Sequence, residues 1–455
     1  MVTAAGLETL PRWRERPPAF TGVLAHDAAA LTGYVRHGES VLAALPVKAE
    51  RDAAQQEAAT QVLRACRAAR DLFINTNAEP VYDALTGGRA LYLRLDELAY
   101  AAAERFAGLV PTRAQIAQER AHVQADKDGH EIDQGIFFRG LLRSSAVGAH
   151  LIEAMLLGSP RAQKLLPAFC RSGRVQLQSV SIERSDGTAH ITVENGRCLN
   201  AEDDQLADDI ETAVDLALLD TQVQVGVLRG GKMTHRRYRD KRVFSAGINL
   251  ADLRNGRISF VDFLLRREMT YINKIAHGLL PSPGASPDQA VQKPWVAAVD
   301  SFAIGGGMQL LLVFDRVIAA DDTYFSLPAA QEGIVPGVAN LRLTRQTGSR
   351  LARQIILAGR KISAAEPAAE LLCDEVVPAE EMDGAIGRAV AQLAGAAVIA
   401  NRRMLNLAEE PLEAFRRYLA EFSYTQAVRL YSDDVIARLD QIWSRGSGVE
   451  KGTAG

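Results

Sequence analysis

Two short stretches offer backbone rather than side-chain chemistry. One is Phe244-Ser245-Ala246-Gly247-Ile248-Asn249 and the other Ile304-Gly305-Gly306-Gly307-Met308-Gln309, each following a run that reads as a strand. Three consecutive glycines weaken a strand or helix interior, so an ordinary core element would avoid them. Glycine lets a ligand come close to the main chain, and a strand-to-helix turn leaves free N–H groups at the positive end of the helix. Two such turns meeting at one carbonyl oxygen would form an oxyanion hole, each donor worth roughly 3–4 kcal/mol in a dry site. Tight helix–sheet packing would explain the same glycines, and spacing alone leaves both readings open.

The text around these turns supplies elements to hold them. From Val175 the pattern alternates apolar and polar residues in "VQLQSVSIERSDGTAHITVENG" about Ser185-Asp186-Gly187, which predicts a β-hairpin. After it come a helix over Asp203 to Leu218, strand "VQVGVLRG", a helix from Phe260 to Ala276, strand "WVAAVDSFA", a helix from Gly306, strand "RVIAA", and then mostly helices to about Arg445. Before Val175 the chain is rich in alanine, leucine, arginine and glutamate, with helical apolar spacing such as Val62, Cys66, Ala69 and Phe73. Thr112 reads as a helix N-cap, and Pro46 and Pro80 as breaks between helices. The expected organisation is a helical domain over residues 1–174, an α/β domain over 175–445 and a flexible tail over 446–455.

Composition excludes several classes of function. Lys+Arg total 52 against 55 for Asp+Glu, so no basic field recommends nucleic acid or an anionic membrane as partner. Four scattered cysteines form no CxxC pair, which suits a reducing cytoplasm and no zinc ribbon. The beginning of the chain lacks an apolar leader segment, and the longest apolar run, Ser301 to Phe314, is too short to span a bilayer. There is no HExxH, no facial-triad text, no GxGxxG after a strand and no Walker A loop, so neither a metal nor a bound cofactor is expected. His122, His130 and His150 lie in the helical half and read as surface or capping residues.

Several segments in order then carry a resemblance: "CLNAE", "VFSAGINLADL", "KPWVAAVDSFAIGGGMQLLLVFDRVIAADDTYFSLP", "GIVPGVANLRLTRQTGSRLARQIILAGRKISAAE" and "LCDEVV". Over roughly Val175 to Arg445 the chain resembles the crotonase (enoyl-CoA hydratase/isomerase) superfamily. The resemblance implies an α/β fold, a spiral of β-β-α turns preceded here by the helical domain. It also implies a homotrimer or homohexamer, an acyl-CoA thioester as substrate, and the N–H groups of Ile248 and Gly306 as oxyanion donors.

The departures are informative. The hydratases of this superfamily carry two catalytic glutamates, and the matching positions here are Gln309 and Ala329. A carboxamide is no general base and alanine has no proton chemistry, so hydration is not expected. A site without those carboxylates still stabilises a thioester enolate, which suits a substrate whose α-carbon is already acidic, such as an arylacetyl-CoA. The chain further resembles the cofactor-independent dioxygenases of the superfamily, which implies dioxygen as co-substrate and no metal or flavin. Gln309 suits a phenol or a bound peroxide. Glu202 and Arg267 are the other candidates for ring hydroxyls, and Ile334 for an apolar pocket wall. Glu202 reads equally as a favourable charge at a helix N-terminus, and Arg267 as part of a solvated face beside Arg266. A thioesterase or decarboxylase using the same turns, or an inactive acyl-CoA-binding protein, are the competing expectations.

Overall fold

The computed structural model describes residues 12–450. They group into two compact units, one taking the chain up to Leu151 with Arg254–Val261 and everything from Arg416, the other Ile152–Leu253 with Asp262–Phe415. The first unit is helical. Helix Ala53–Thr86 packs on helices Leu24–Ala43 and His130–Arg143, and the predicted stripe Val62, Cys66, Ala69 and Phe73 is buried within it. Thr112 caps helix Arg113–Arg120 by accepting from the Gln115 N–H, as expected. The break expected at Pro80 is present one turn earlier: within Ala53–Thr86 the backbone leaves helical geometry at Asn77 (φ −120°, ψ 18°), so two helical pieces meet at a kink where the Pro80 ring and missing N–H disrupt the ladder. His150 is no surface residue; it is buried, its Nδ1 2.7 Å from the Tyr82 hydroxyl.

The domain boundary expected at 174 falls earlier. Helix Pro160–Ser172 reads as helical text, yet it packs on helix Asp204–Leu219 of the second unit, with Arg161 Nη1 2.7 Å from Asp209 and also paired with Asp208. Of the expected tail, residues 446–450 belong to helix Asp433–Glu450, and residues 451–455 lie outside the described residues.

The second unit is built on a seven-stranded sheet. Its strands are β1 (Arg174–Gln176), β2 (Val180–Ser185), β3 (Thr188–Val193), β4 (Val225–Gly230), β5 (Trp295–Val299), β7 (Arg316–Ala320) and β10 (Glu375–Val377), in that spatial order. A second sheet pairs β6 (Phe302–Ile304), β8 (Tyr324–Ser326) and β9 (Ile362–Ser363). The hairpin is where the text put it. β2 and β3 are antiparallel, and Asp186 (φ 48°) and Gly187 (φ 75°) form a two-residue turn whose positive dihedrals match the strand twist. From β3 onward the large-sheet pairings are parallel, so each strand crosses over before the next. β4, β5 and β7 read as near-continuous apolar runs because both faces are covered, whereas edge strand β10 leaves Val376 exposed. Val225, Val227, Val296, Ala298, Ile318 and Ala320 pack on Met382, Ala385, Ile386 and Ala389 of helix Met382–Leu393. Fully burying each valine or isoleucine contributes about 1.5–3 kcal/mol. Among the described residues no helix is long and apolar enough to cross a membrane, and the four cysteines are unpaired with one another.

The helix expected over Phe260 to Ala276 is three pieces: a π-helical turn Phe260–Leu265, then Arg266–Met269 and Tyr271–His277 about a break at Thr270 (φ −107°, ψ −103°). Wide helical turns and breaks of this kind re-aim side chains, and here the residues around the break are Arg267, Glu268 and Tyr271.

Candidate active site

The two glycine turns lie against each other. Ser245 bridges Ala303 at the start of both: its N–H donates to Phe302 O (3.3 Å), and its carbonyl accepts from Ile304 N (3.0 Å). Beyond that bridge Gly247 (φ 81°) and Gly305 (φ 54°, ψ −117°) turn the two chains in opposite conformational senses from an ordinary strand. A Cβ on Gly247 would stand 2.9 Å from Ile304 O, and one on either glycine would come within 3.3 Å of the other's Cα. Gly306 and Gly307 are small for different reasons. A Cβ on Gly306 would overlap the Glu202 carboxylate, and one on Gly307 would stand 2.5 Å from the Ser245 Cβ. Each of the three glycines therefore answers a separate close approach.

Both expected donors are left open by this folding. Glu202 N donates to Gly247 O (2.7 Å) and Asn249 N donates to Glu202 O (2.8 Å), which brackets Ile248 without using its N–H. Gly306 is the first residue of helix Gly306–Leu311, where an N–H has no partner inside the helix. Among the described residues neither N–H has a hydrogen-bond acceptor.

Against these turns sits a buried polar cluster centred on Arg267, which is 3% exposed and therefore no part of a solvated face. Its Nη1 donates to Glu268 Oε1 (2.6 Å) and Gln309 Oε1 (2.8 Å). Its Nη2 donates to Gly306 O (3.2 Å) and lies 3.1 Å from Glu202 Oε2, and its Nε reaches the Tyr271 hydroxyl (3.3 Å). Every guanidinium nitrogen is thus engaged. Burial works against the Arg267 charge, but Glu202, Tyr271 and Glu268 hold the group firmly protonated. Burial also pushes the Glu202 carboxyl up, against the pull of Arg267 and with Glu268 adding repulsion. The Tyr271 phenol is raised chiefly by burial and stays neutral. Because arginine only donates, the Gln309 oxygen must face it, which leaves the amide NH2 as the outward end.

Of the residues expected from sequence, Glu202, Arg267, Gly306 and Gln309 come together, and Ile248 stands on the touching turn. Ile334 is half-buried in the loop that follows the short helix Ala329–Glu332, its N–H donating to Ala329 O (2.9 Å). Among the described residues no hydrogen bond or ion pair joins Glu332, at the end of that helix, to the cluster; burial alone pushes its carboxyl up to about 7. The basic stretch Arg237 to Arg242 is largely exposed. Sequence reasoning missed Glu268 and Tyr271. The signal available was their spacing from Arg267, adjacent and one helical turn on. Among the described residues no group of three or more His, Cys, Asp or Glu side chains is placed to hold a metal ion.

A family model described as enoyl-CoA hydratase/isomerase matches residues 183–422. The chain belongs to that family. A (3,5-dihydroxyphenyl)acetyl-CoA 1,2-dioxygenase of Amycolatopsis orientalis is 57% identical over 413 residues, covering 91% of this chain and 95% of its own. A probable enoyl-CoA hydratase of Mycobacterium bovis is 28% identical over 206 residues, 45% of this chain and 71% of its own. A solved enoyl-CoA hydratase structure from Mycobacterium avium subsp. paratuberculosis aligns with a TM-score of 0.48 at 24% identity, over 59% of this chain and 97% of that one. The α/β architecture with a helical region ahead of it is the crotonase-type fold expected from the sequence. In this member of the enoyl-CoA hydratase/isomerase family, the positions read as the hydratases' two glutamates hold Gln309, engaged with Arg267, and Ala329, buried.

Proposed function

We propose that this chain is a cofactor-independent dioxygenase that converts (3,5-dihydroxyphenyl)acetyl-CoA and dioxygen to 3,5-dihydroxyphenylglyoxylate and CoA. The observation that carries the reading is the buried cluster of Arg267, Glu202 and Gln309 beside the Gly306 turn. A site that hydrogen-bonds hydroxyls rejects analogues lacking them, and an unfunctionalised acyl chain would have no use for three buried polar groups. The extent of the match to the Amycolatopsis enzyme supports the same substrate class. The glyoxylate is the carbon skeleton of 3,5-dihydroxyphenylglycine, which places the enzyme in the biosynthesis of vancomycin-type glycopeptide antibiotics.

Ile248 and Gly306 hold the thioester oxygen through their N–H groups, so loss of the α-proton gives an enolate that these donors stabilise. Conjugation with the aryl ring makes the carbanion electron-rich enough to pass an electron to dioxygen. Recombination then forms a C–O bond at the α-carbon. The terminal peroxide oxygen attacks the thioester carbonyl and CoA leaves as thiolate. Cleavage of the O–O bond leaves one oxygen atom on each carbon, and the second α-proton departs to form the ketone. Ring hydroxyls meet the outward NH2 of Gln309 and the spare lone pairs of Glu202; reaching Arg267 itself means displacing one of its present acceptors. Ile334 supplies an apolar wall that keeps water from quenching the carbanion.

Oxygen uptake measured beside CoA release, with chelator present and with an anaerobic control, tests the proposal. One mole of dioxygen per mole of CoA is the expected result. CoA release that continues without oxygen would identify a thioesterase or decarboxylase acting through the same turns, and no turnover at all an inactive binding protein. Gln309→Glu should lower the rate constant on the order of tenfold at neutral pH, about 1.4 kcal/mol, by adding a negative charge on the helix whose first N–H, that of Gly306, holds the developing enolate. Stopped-flow oxygen consumption reads this directly, and an unchanged rate would remove Gln309 from the reacting region. The active form is a homotrimer or homohexamer. Met404, Leu405 and Leu407, exposed on helix Ala396–Glu409, suit a subunit contact.

A further inference from the structure

We propose that Glu268 is the positioning residue of this site, tying the Arg267 guanidinium to the loop that runs from Gly333 to Val338. One carboxylate oxygen, Oε1, takes a hydrogen bond from Arg267 Nη1 at 2.6 Å, while the other, Oε2, takes the Val338 N–H at 3.1 Å. The side chain is 2% exposed, so water cannot replace either partner. The loop is shaped to reach it. Gly337 has φ 45°, and a Cβ there would overlap the Glu268 carboxylate and stand 2.6 Å from Gln309 Oε1. Only a bare Cα lets the loop close over both acceptors.

The arrangement needs a group with two acceptors and no donor. Glu268 Oε1 and Gln309 Oε1 share the two hydrogens of one arginine nitrogen, so the glutamate helps to fix where the Gln309 amide stands. Without it, Nη1 keeps a single partner, and the carboxylate still paired with the guanidinium is Glu202, which meets Nη2. The geometry that presents the Gln309 NH2 and the Glu202 oxygens to a ring would relax. Loop and arginine would also lose their shared register, although Ile334 lies on that loop.

The discriminating variant is Glu268→Gln, which is nearly isosteric but offers one acceptor and one donor where two acceptors are required. Either Arg267 or Val338 must then face an N–H. Hydrogen-exchange mass spectrometry without substrate should show the Val338 amide exchanging about tenfold faster in Glu268→Gln or Glu268→Ala. The second readout rests on the arylacetyl-CoA reading. The ratio of kcat/KM for (3,5-dihydroxyphenyl)acetyl-CoA over phenylacetyl-CoA should fall about tenfold in Glu268→Gln, with Glu268→Asp, which restores two acceptors, recovering part of it. A purely structural role would lower both esters equally and leave the ratio unchanged, which would overturn the proposal. Unaltered exchange at Val338 would overturn it as well. If Glu268→Gln does not fold, Glu268→Asp is read alone: one methylene shorter, it cannot hold both partners at their present distances, so intermediate exchange and an intermediate ratio are expected, and wild-type values in both refute the link. Should wild-type protein turn over neither ester, the functional reading falls while the exchange result still decides the link.

Discussion

Gly306→Pro should lower kcat for the thioester roughly 10²–10³-fold beyond the loss caused by Gly306→Ala. Both variants place a Cβ against the Glu202 carboxylate, because the space beside Gly306 is already filled by that side chain. They differ in the N–H, which alanine keeps and proline lacks. At the first position of helix Gly306–Leu311 proline costs little in the fold, since its fixed φ suits the position and the missing N–H had no helical partner. The unfolding midpoints of the two variants should therefore lie close together while their rate constants separate. Steady-state kinetics beside thermal unfolding checks both halves. Equal kcat values would show that the Gly306 N–H holds no developing charge, and the assignment of the two turns would fail with it.

The comparison works because the three glycines act through backbone geometry, and backbone geometry was the most legible part of this sequence. A run of glycines between a strand pattern and an amide residue restricts what the chain can be doing, and the hairpin at Asp186-Gly187 is visible for the same reason. Arg267 was legible only as a residue on the right helix; its burial is not written in "RREM", which reads like a solvated charged turn. Glu268 was invisible because the group that needs it, the Val338 N–H, comes 70 residues later, and no local period links them. Strands β8, β9 and β10 span only two or three residues each, too few for alternation to show. The helix Pro160–Ser172 was assigned to the wrong unit since composition records helical propensity, whereas membership is decided by Arg161 finding Asp208 and Asp209. Pro80 was legible because its chemistry is local: the helix breaks at Asn77, one turn before the proline.

Lys274→Met should destabilise the folded chain by about 3–5 kcal/mol, although the residue touches nothing in the candidate active site. Its ammonium is wholly buried between Asp215 Oδ1 (2.7 Å) and Glu211 Oε1 (3.0 Å), both also wholly buried. Glu211 would keep Arg266 Nε at 2.7 Å, but among the described residues Asp215 would be left with the Ser159 N–H at 2.7 Å as its hydrogen-bond donor. An anion stranded in an apolar interior is the costly outcome, more than the loss of the attraction itself. Burial already pushes the Asp215 carboxyl up against the opposing pull of Lys274, so removing the lysine moves it further in that direction. A carboxyl raised above its unfolded value takes up a proton on folding, so the variant's deficit should shrink as pH is lowered and grow as pH rises. Adding Asp215→Asn removes the stranded charge while leaving an oxygen for the Ser159 N–H. The double variant should recover most of the loss. Urea midpoints of the single and double variants at two pH values measure all of this. A single-variant loss below about 1 kcal/mol, independent of pH, would mean that water reaches Asp215 and that the pair is no anchor. The consequence reaches the active site because Lys274 and Arg266 are points at which helix Asp204–Leu219 grips the segment carrying Arg267 and Tyr271. A cation between two carboxylates sets where that segment lies, so the double variant should regain stability without regaining the full kcat/KM for a ring-hydroxylated ester.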